Sequence, residues 1–327
     1  MAQNYTAGWA SYVNYGYETT YGTVAATFPR TFGNGVKITH TRRNNMERVY
    51  GLNNRNATVN VAKRYEGTAS VEFVLSNASF FRGIMGTVSY LSPSNTYAES
   101  NTISSFSLIS ATEMGTNDEV ATLIGCKVNS ATLTASENEV VRVRLECPYK
   151  TETLTTTGIG TAVAETYAPY SFAQGIVEYT GGAGSIGVVT SFELTINNNL
   201  SGLWGLNSRY KANDVELRRE YNIRMTVAFN NVATLLEKFF GHAAPIVATD
   251  LAQLNPAAQA TVVLTFTQGT GDGSAGNEKI VVTLTNVYFD EDTLPKSIDE
   301  VTKEDVTGWS LSGGVVWSNT VDDSTLP

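Results

Sequence analysis

Residues 49–86 read VYGLNNRNATVNVAKRYEGTASVEFVLSNASFFRGIMG, and residues 203–241 read LWGLNSRYKANDVELRREYNIRMTVAFNNVATLLEKFFG. Each stretch holds a Gly-Leu-Asn-x-Arg loop, which ends at Arg55 in the first and at Arg209 in the second. Polar sequence follows the loop, and then apolar residues alternate with polar ones as in a half-buried strand. The two stretches therefore predict the same local structure twice.

The two stretches also share the signals of a short helix after the strand. An Asn stands where it can cap the first turn, at Asn77 and at Asn231, and a Gly suited to a left-handed helix end closes each segment. Further matches are displaced by one or two residues, a slip relative to the alignment of the two loops: Tyr65 with Tyr221, Val71 with Val227, Phe73 with Phe229, and Gly86 with Gly241. A repeat of this length is too long for a solenoid unit, which indicates duplication of a whole domain.

Length and composition agree with a duplicated β-rich protein. A chain of 327 residues favours two domains, and 42% hydrophobic with 16% charged residues is enough for ordinary cores. Thr, Ser, Val, Asn, Gly and Tyr dominate, and segments with helical periodicity are few and short, so the expected class is mainly β. A formal net charge of −9 argues against a surface that grips nucleic acid, and it suits one that must not grip it.

The composition changes along the chain predict an arm, two domains and a linker. The arm is rich in aromatic residues and Gly, and we expect it to dock on the body of the protein or on a neighbour. The last residues, 318–327, are expected to fray. The predicted boundaries are 1–35 for the N-terminal arm, 36–150 for the first domain with a Ser/Thr-rich insertion at 88–123, 151–169 for the linker and 170–327 for the second domain.

The N-terminus has no basic region followed by an apolar one, and no run reaches the roughly 18 apolar residues of a spanning helix. We therefore expect a protein of the cytoplasm. Cys126 and Cys147 stand near opposite ends of a predicted hairpin, so facing positions are conceivable. Two reduced thiols packed as small hydrophobic side chains are favoured for such a compartment.

The residue patterns of common active sites are missing from the sequence. His40 and His242 stand away from Cys and carboxylates at ligand spacing, which disfavours a zinc site or a His-based triad. The loop 182–187, GAGSIG, matches a dinucleotide pattern but runs on into a strand, so a hairpin turn is predicted. Neither 290–292 nor 271–273 has the 12-residue loop of a calcium site. We expect no cofactor, no metal and no enzymatic activity.

Charge is distributed unevenly. Residues 290–323 contain nine acidic and two basic residues, whereas residues 37–64 contain seven basic and one acidic. Two interpretations remain open: two solvated faces, or complementary surfaces that meet between copies of the molecule. Aromatic residues are not interleaved with the basic run as in single-strand binding, so ion pairing with a neighbouring subunit is preferred over phosphate contacts.

Taken together, these features resemble the tail tube proteins of long-tailed viruses of bacteria and archaea, in the larger form with a duplicated tube domain. Order and duplication carry the resemblance, rather than any single motif. The stretches concerned are YGYETTYGT at 15–23, YGLNNR at 50–55 with WGLNSR at 204–209, Tyr65-Glu66-Gly67 ahead of a strand, and the closing hairpins at 126–149 and 282–316.

The resemblance implies two tandem β-sandwich or small-barrel domains, each with a short flanking helix. Subunits of this family form rings in which inner strands join into one barrel. A duplicated chain then implies a trimeric, pseudo-hexameric ring, stacked into a hollow tube that delivers viral DNA without binding it specifically. It further implies a place in the virion tail after assembly in the host cytoplasm, without membrane insertion. The implied partners are the protein itself and the tape measure, tail-tip and tail-terminator proteins.

We expect the subunit contacts to come from the arm, the insertion and the charged segments. The Gly-Leu-Asn-x-Arg loop has two interpretations: a turn whose Arg satisfies carbonyls of its own domain, which is favoured, or an Arg that binds carboxylates of an adjacent subunit. The candidate contact residues are Tyr17, Tyr21, Arg42, Arg43, Arg55, Arg209, Asp290, Glu291 and Asp292.

Two alternatives remain. A β-sandwich binding or adhesion module, decorating a virion or a cell surface, would be a monomer with an exposed aromatic cluster, for which Tyr5, Trp9, Tyr12 and Tyr15 are available. The inner tube of a contractile injection system is the other alternative, and the sequence does not separate it from a tube without a sheath.

Overall fold

The computed structural model describes residues 11–112, 118–156, 163–180, 187–229, 260–293 and 303–325. The mainly-β class predicted from the sequence is confirmed. The strands of the first half are β1 (Ser11–Tyr17), β2 (Asn34–Arg43), β3 (Met46–Tyr50), β4 (Ala57–Ala62), β5 (Glu66–Val74), β6 (Gly86–Leu91), β7 (Ser94–Glu99), β8 (Phe106–Thr112), β9 (Glu119–Cys126), β10 (Ser130–Ser136), β11 (Arg142–Tyr149) and β12 (Thr151–Thr155). Those of the second half are β13 (Gly175–Thr180), β14 (Gly187–Asn197), β15 (Ser201–Trp204), β16 (Lys211–Val215), β17 (Glu220–Phe229), β18 (Ala260–Thr267), β19 (Lys279–Thr293) and β20 (Glu304–Ser318).

One long antiparallel sheet runs through both halves of the chain, in the order β13-β18-β19-β20-β17-β14-β10-β11-β5-β2. The halves join where β10 pairs with β14. The hairpin β6–β7 attaches to β20 through β7. A second, four-stranded sheet, β1-β8-β9-β12, packs on the first-half strands, and the apolar side chains between the layers form a core that continues into the second half.

The same strand order occurs twice within the long sheet. In the first half β2 pairs with β5, β5 with β11 and β11 with β10; in the second, β14 pairs with β17, β17 with β20 and β20 with β19. Each copy also holds an outlying two-stranded hairpin, β3–β4 in the first and β15–β16 in the second. The repeat in the sequence therefore has a matching repeat in the strand pairing.

Strands β2 and β5 of the first copy correspond to β14 and β17 of the second at a spacing of 154 positions, the distance from Asn45 to Asn199. Both residues adopt positive φ, 45° and 47°. Each donates its side-chain amide at 3.0 Å to the carbonyl of an arginine 19 positions later, Arg64 in one copy and Arg218 in the other. Over these strands the slip inferred from sequence matches is wrong, because a shift of two residues keeps a strand's alternation and so cannot be detected from apolar identity. The match of Gly86 with Gly241 lies outside the described residues.

The predicted helix of the first copy is present as a 3₁₀ turn, Ser79–Phe81, followed by α1, Arg82–Met85. The side chain of Asn77 accepts the Ser79 amide at 3.3 Å, and Gly86 ends the helix at φ 108°. A left-handed or otherwise positive φ favours glycine there. The second predicted helix, after Asn231, lies outside the described residues.

The structure bears on several expectations about the ends and connections of the chain. The described part of the arm docks on its own chain, which is one of the two options expected, since β1 joins the small sheet. The expected linker begins with strand β12, which pairs with β9 because its β-branched Thr residues suit a strand. Fraying was expected from residue 318 onward, but the chain is packed at least as far as Asp323, which is 1% exposed. The hairpin turn predicted at 182–187 lies outside the described residues except for Gly187; the flanking strands pair elsewhere, β13 with β18 and β14 with β17 and β10.

Candidate assembly surface

The seam between the two halves is an antiparallel strand pair. β10 and β14 run side by side from Ser130 opposite Asn197 to Ser136 opposite Ser191. The hydroxyls of Thr132 and Thr195 lie 3.2 Å apart on the outer face of this pair. The seam is thus a regular continuation of one sheet, closed by backbone hydrogen bonds.

The outlying hairpins add a second contact across the same seam. The Arg209 guanidinium donates to the carbonyl of Lys63 at 2.7 Å and to the side-chain oxygen of Asn44 at 3.1 Å. The amide of Tyr65 donates to the carbonyl of Arg209 at 2.7 Å. Arg209 therefore satisfies carbonyls, as the favoured interpretation states, but they belong to the first half of the chain rather than to its own.

A cation–π contact lies beside these hydrogen bonds. The guanidinium carbon of Arg64, from the first half, is 4.8 Å from the ring centre of Trp204, from the second. Arg64 also pairs with Glu66 at 2.8 Å. The second-half equivalents, Arg218 and Glu220, form the same ion pair at 2.7 Å. Within the described residues, no aromatic ring is found over Arg218.

A buried polar network below the hairpins binds Tyr21 within its own chain. Its hydroxyl donates at 2.9 Å to Asp214, which also pairs with Lys211 at 2.8 Å. Lys127 adds an ion pair to Glu216 at 2.7 Å. Burial raises the pKa of Tyr21, as does the neighbouring Asp214 carboxylate, so the phenol stays protonated. Sequence analysis missed this network because its members are distant in the chain; the only signal was a lysine inside the apolar stretch around Cys126.

The YGYETTYGT segment also serves the interior of the chain. The Glu18 carboxylate accepts from the amides of Gly22 and Gly125 at 2.8 and 2.7 Å and from the hydroxyls of Ser105 and Ser107 at 2.9 and 2.7 Å. Such a carboxylate satisfies several donors that would otherwise be costly to bury. These hydrogen bonds explain why the segment contains Glu18 and Gly22.

Tyr17, a predicted contact residue, packs in the core of its own chain. It is 3% exposed, accepts from the Gly83 amide at 3.0 Å and donates to the Ser79 carbonyl at 2.8 Å. Tyr15 is equally buried, stacked on Phe32 at 4.4 Å. The aromatic cluster of the binding-module alternative therefore lacks Tyr15 as a surface group, while its first two members lie outside the described residues.

Several sheet edges have no strand partner among the described residues; they include β13 and β2 at the two ends of the long sheet and the end of β19. β2 is the last strand of the long sheet and pairs only with β5. The edge of β19 that faces β18 is covered from Lys279 to Val287, and the described residues 289–293 pair only with β20. Unpaired edges of this kind offer rows of amides and carbonyls to another chain.

Opposite charges stand on two of these edges. On β2, Arg42 pairs with Glu152 at 2.7 Å, whereas Arg43 is exposed and has no ion pair among the described residues. On β19, Asp290 and Glu291 are exposed. Asp292 shares the strand, and its side chain lies outside the described part. Arg55, on the tip of the β3–β4 hairpin, is exposed and makes no hydrogen bond within the described chain.

The thiols of Cys126 and Cys147 are free and buried, at 0% and 1% exposure. Burial raises the pKa of both thiols, which keeps them protonated and poor nucleophiles. In the described ranges, no group of three or more His, Cys, Asp or Glu side chains is placed to hold a metal. None of the described helices is long and apolar enough to span a membrane.

A family model described as phage tail tube protein matches residues 8–302. The match includes both stretches of the sequence repeat, 49–86 and 203–241, and it ends before β20. No curated protein matches the chain.

Proposed function

The chain belongs to the phage tail tube protein family, and we propose that its copies form rings that stack into the hollow tube through which viral DNA is delivered. As a member of this family it is a structural protein of the virion tail, as the resemblance in its sequence implied. The ring, its stoichiometry and its use in DNA delivery are the proposal.

The observation that carries the proposal is the pair of oppositely charged, unpartnered sheet edges on one chain. The edge of β2 and the end of β19 are different surfaces, so joining them between copies is a heterologous contact. Such a contact closes into a ring when the rotation from one copy to the next is a whole fraction of a full circle. Closing the ring also removes the exposed edges, which are otherwise an aggregation hazard.

The repeated strand order supports a trimer. We interpret the two copies as a duplicated tube domain, so that three chains supply six equivalent units around one axis. The ring then has pseudo-six-fold symmetry, with alternating seams inside a chain and between chains. The predicted domain boundaries, 36–150 and 170–327, are part of this proposal.

The net charge suits passage of DNA. At −9 the chain carries an excess of acidic groups, and a lumen lined by such groups repels phosphates and lets DNA move without specific binding. Tape measure, tail-tip and tail-terminator proteins are the proposed partners along the tube and at its ends. The role is structural and includes no catalytic step, and it applies equally to a tube inside a contractile sheath.

Negative-stain microscopy and mass photometry of the purified full-length chain test the proposal. We expect hollow tubes with a regular axial repeat at high concentration, and rings of three 35.3 kDa chains at lower concentration. Rings of another stoichiometry would contradict the trimer alone. A strict monomer over the whole concentration range would contradict the ring and favour the binding-module alternative.

A further inference from the structure

We propose that the seam inside the chain is repeated between chains: the end of β19 in one copy pairs with β2 of the next copy, in the register that β10 takes with β14. This inference rests on the proposed ring and adds its contacts residue by residue. It follows from the positions that the two repeats occupy in the long sheet.

The first step fixes which residues are equivalent. β14 follows β2 at the spacing of 154 positions that relates Asn199 to Asn45. β20 occupies beside β17 the place that β11 occupies beside β5, since Tyr149 lies opposite Gly67 and Ser310 opposite Tyr221. β20 therefore follows β11 at a spacing of 161 positions.

The second step transfers this spacing to the seam strands. Ser130 of β10 lies opposite Glu146 of β11. The residue at the equivalent of Glu146 is Thr307, and Glu291 of β19 lies opposite it. Glu291 is thus the second-half equivalent of Ser130, and the end of β19 is the equivalent of β10. In the described chain that end pairs only with β20, whereas β10 pairs with β14 as well.

The register between copies follows directly. Inside the chain, Ser130 lies opposite Asn197, Ala131 opposite Ile196 and Thr132 opposite Thr195. The equivalents between copies are Glu291 opposite Arg43, Asp292 opposite Arg42 and Thr293 opposite Thr41 of the next copy.

This register produces pairings that were not used to derive it. A Thr–Thr pair recurs at the position where Thr132 and Thr195 hydroxyls lie 3.2 Å apart. Glu291, exposed on its strand, meets Arg43, exposed and without an ion pair among the described residues. Opposite charges directly across an antiparallel pair stabilise it, and like charges destabilise it. A shift of one residue would place Thr293 and Thr41 on opposite faces.

The outlying hairpins, β3–β4 and β15–β16, give a further check on the same arrangement of neighbouring copies. Inside the chain Arg64 covers Trp204 at 4.8 Å. The equivalents are Arg218 of one copy and Tyr50 of the next, again an arginine and an aromatic ring. The Arg218 side chain is 83% exposed and Tyr50 is 58% exposed, so both are available. A cation–π pair is therefore expected at the seam between copies.

The Gly-Leu-Asn-x-Arg loop repeats its contact as well. Arg209 donates to the carbonyl of Lys63 inside the chain. Its equivalent, Arg55 of the next copy, is placed to donate to the carbonyl of Leu217, whose side chain is 62% exposed. The loop then makes the same arginine–carbonyl contact in two settings: Arg209 binds the other half of its own chain, and Arg55 binds another chain.

Cysteine cross-linking of the full-length chain tests the register. Directly opposed Cα atoms in an antiparallel pair are about 4.5–5.5 Å apart, within the range of a disulfide. Thr41→Cys with Thr293→Cys should form disulfides between chains under mild oxidation and give covalent trimers on a non-reducing gel. Both side chains are exposed, so the fold should tolerate the substitutions.

A matched pair of positions controls for chance collisions. Thr39→Cys with Thr293→Cys keeps the same faces but lies two residues out of register, at about 7–8 Å. We expect at least about tenfold less covalent trimer from this pair, because the separation exceeds disulfide geometry. The wild-type chain, with its two cysteines buried, should give none.

A charge exchange gives a second readout on the same seam. Arg43→Glu or Glu291→Arg alone places like charges opposite each other and should raise the concentration needed for assembly about tenfold or more. The double exchange, R43E with E291R, should restore assembly.

The outcomes separate this inference from the ring itself. Tubes in the microscope with equal or better cross-linking of the control pair, or without rescue by the double exchange, would overturn the register and leave the ring standing. The absence of rings and tubes from the wild-type chain would overturn both.

Discussion

The buried ion pair between Arg30 and Asp323 joins the segment after β1 to the last described residues of the chain. Their side chains are 4% and 2% exposed and lie 3.1 Å apart. The hydroxyl of Tyr97 donates at 2.5 Å to the second oxygen of the Asp323 carboxylate. Removing one partner of a buried pair leaves an uncompensated charge, which costs far more than the pair contributes.

Asp323→Ala should therefore lower the free energy of unfolding by about 3–5 kcal/mol. Chemical denaturation of the monomer measures it, and the loss should appear without assembly. Asp322→Ala is the matched control, because that carboxylate bonds only locally, to Ser324, among the described residues. Equal losses in the two variants would show that the ion pair has no special role.

At the scale of residues, the sequence predicts what neighbouring residues determine. Gly86 marks the end of the first helix, because a positive φ there is a local backbone requirement. Asn77 lies one residue before the cap position, Ala78, and its side chain accepts the Ser79 amide. The burial of Tyr17 and Asp323 was not predicted, because their partners lie far along the chain. A tyrosine in a Gly-rich segment has the same local pattern whether it faces a neighbour or the core.

At the scale of elements, the two outlying hairpins have the same tip but different neighbours. Arg209 reaches the first half of its own chain, with hydrogen bonds of 2.7 and 3.1 Å. Arg55 has no such contact among the described residues. If the seam recurs between chains, the same substitution in the two loops should have different consequences.

Arg209→Ala should lower the stability of the monomer by about 1 kcal/mol, the net value of such hydrogen bonds. Arg55→Ala should leave the monomer's unfolding midpoint unchanged and reduce the fraction that assembles, because its partner is another chain. Thermal unfolding and sedimentation velocity measure the two effects. Arg48→Ala, an exposed arginine on the same hairpin as Arg55, is the control and should change neither. An Arg55→Ala variant that assembles like the wild type would count against the contact.

The alternation of apolar and polar residues predicted where strands lie, but it did not predict which strands pair with each other. The pattern of β5 and β17 shows which face is buried, and the closing hairpin β10–β11 joins neighbours in sequence. The seam of β10 with β14 brings together strands that are distant in the chain. Alternation determines the face of a strand and leaves its partner open, so the seam required the structure.

At the scale of the whole molecule, two electrostatic effects on assembly oppose each other. Each chain carries a net charge of −9, so whole subunits repel over tens of ångströms. The proposed contacts of Glu291 with Arg43, and of Arg218 with Tyr50, act at only a few ångströms. The Debye length falls from about 30 Å at 0.01 M salt to about 8 Å at 0.15 M and about 3 Å at 1 M. Salt up to physiological strength therefore screens mainly the long-range repulsion between subunits, and only higher salt weakens the short-range contacts.

Assembly of the wild-type chain should accordingly pass through a maximum between low and high salt. The fraction in rings or tubes, measured by sedimentation from 0.01 to 1 M sodium chloride, should rise toward about 0.15 M and fall beyond it. The double variant Glu291→Gln with Arg43→Gln keeps the net charge and loses one seam pair. Its assembled fraction should rise with salt as in the wild type and fall less steeply at higher salt. A steady rise in the wild type would mean that burial of apolar surface outweighs the charged seam, because salt then only relieves repulsion. Identical falls in both chains would mean that the pair at 291 and 43 adds nothing to the seam.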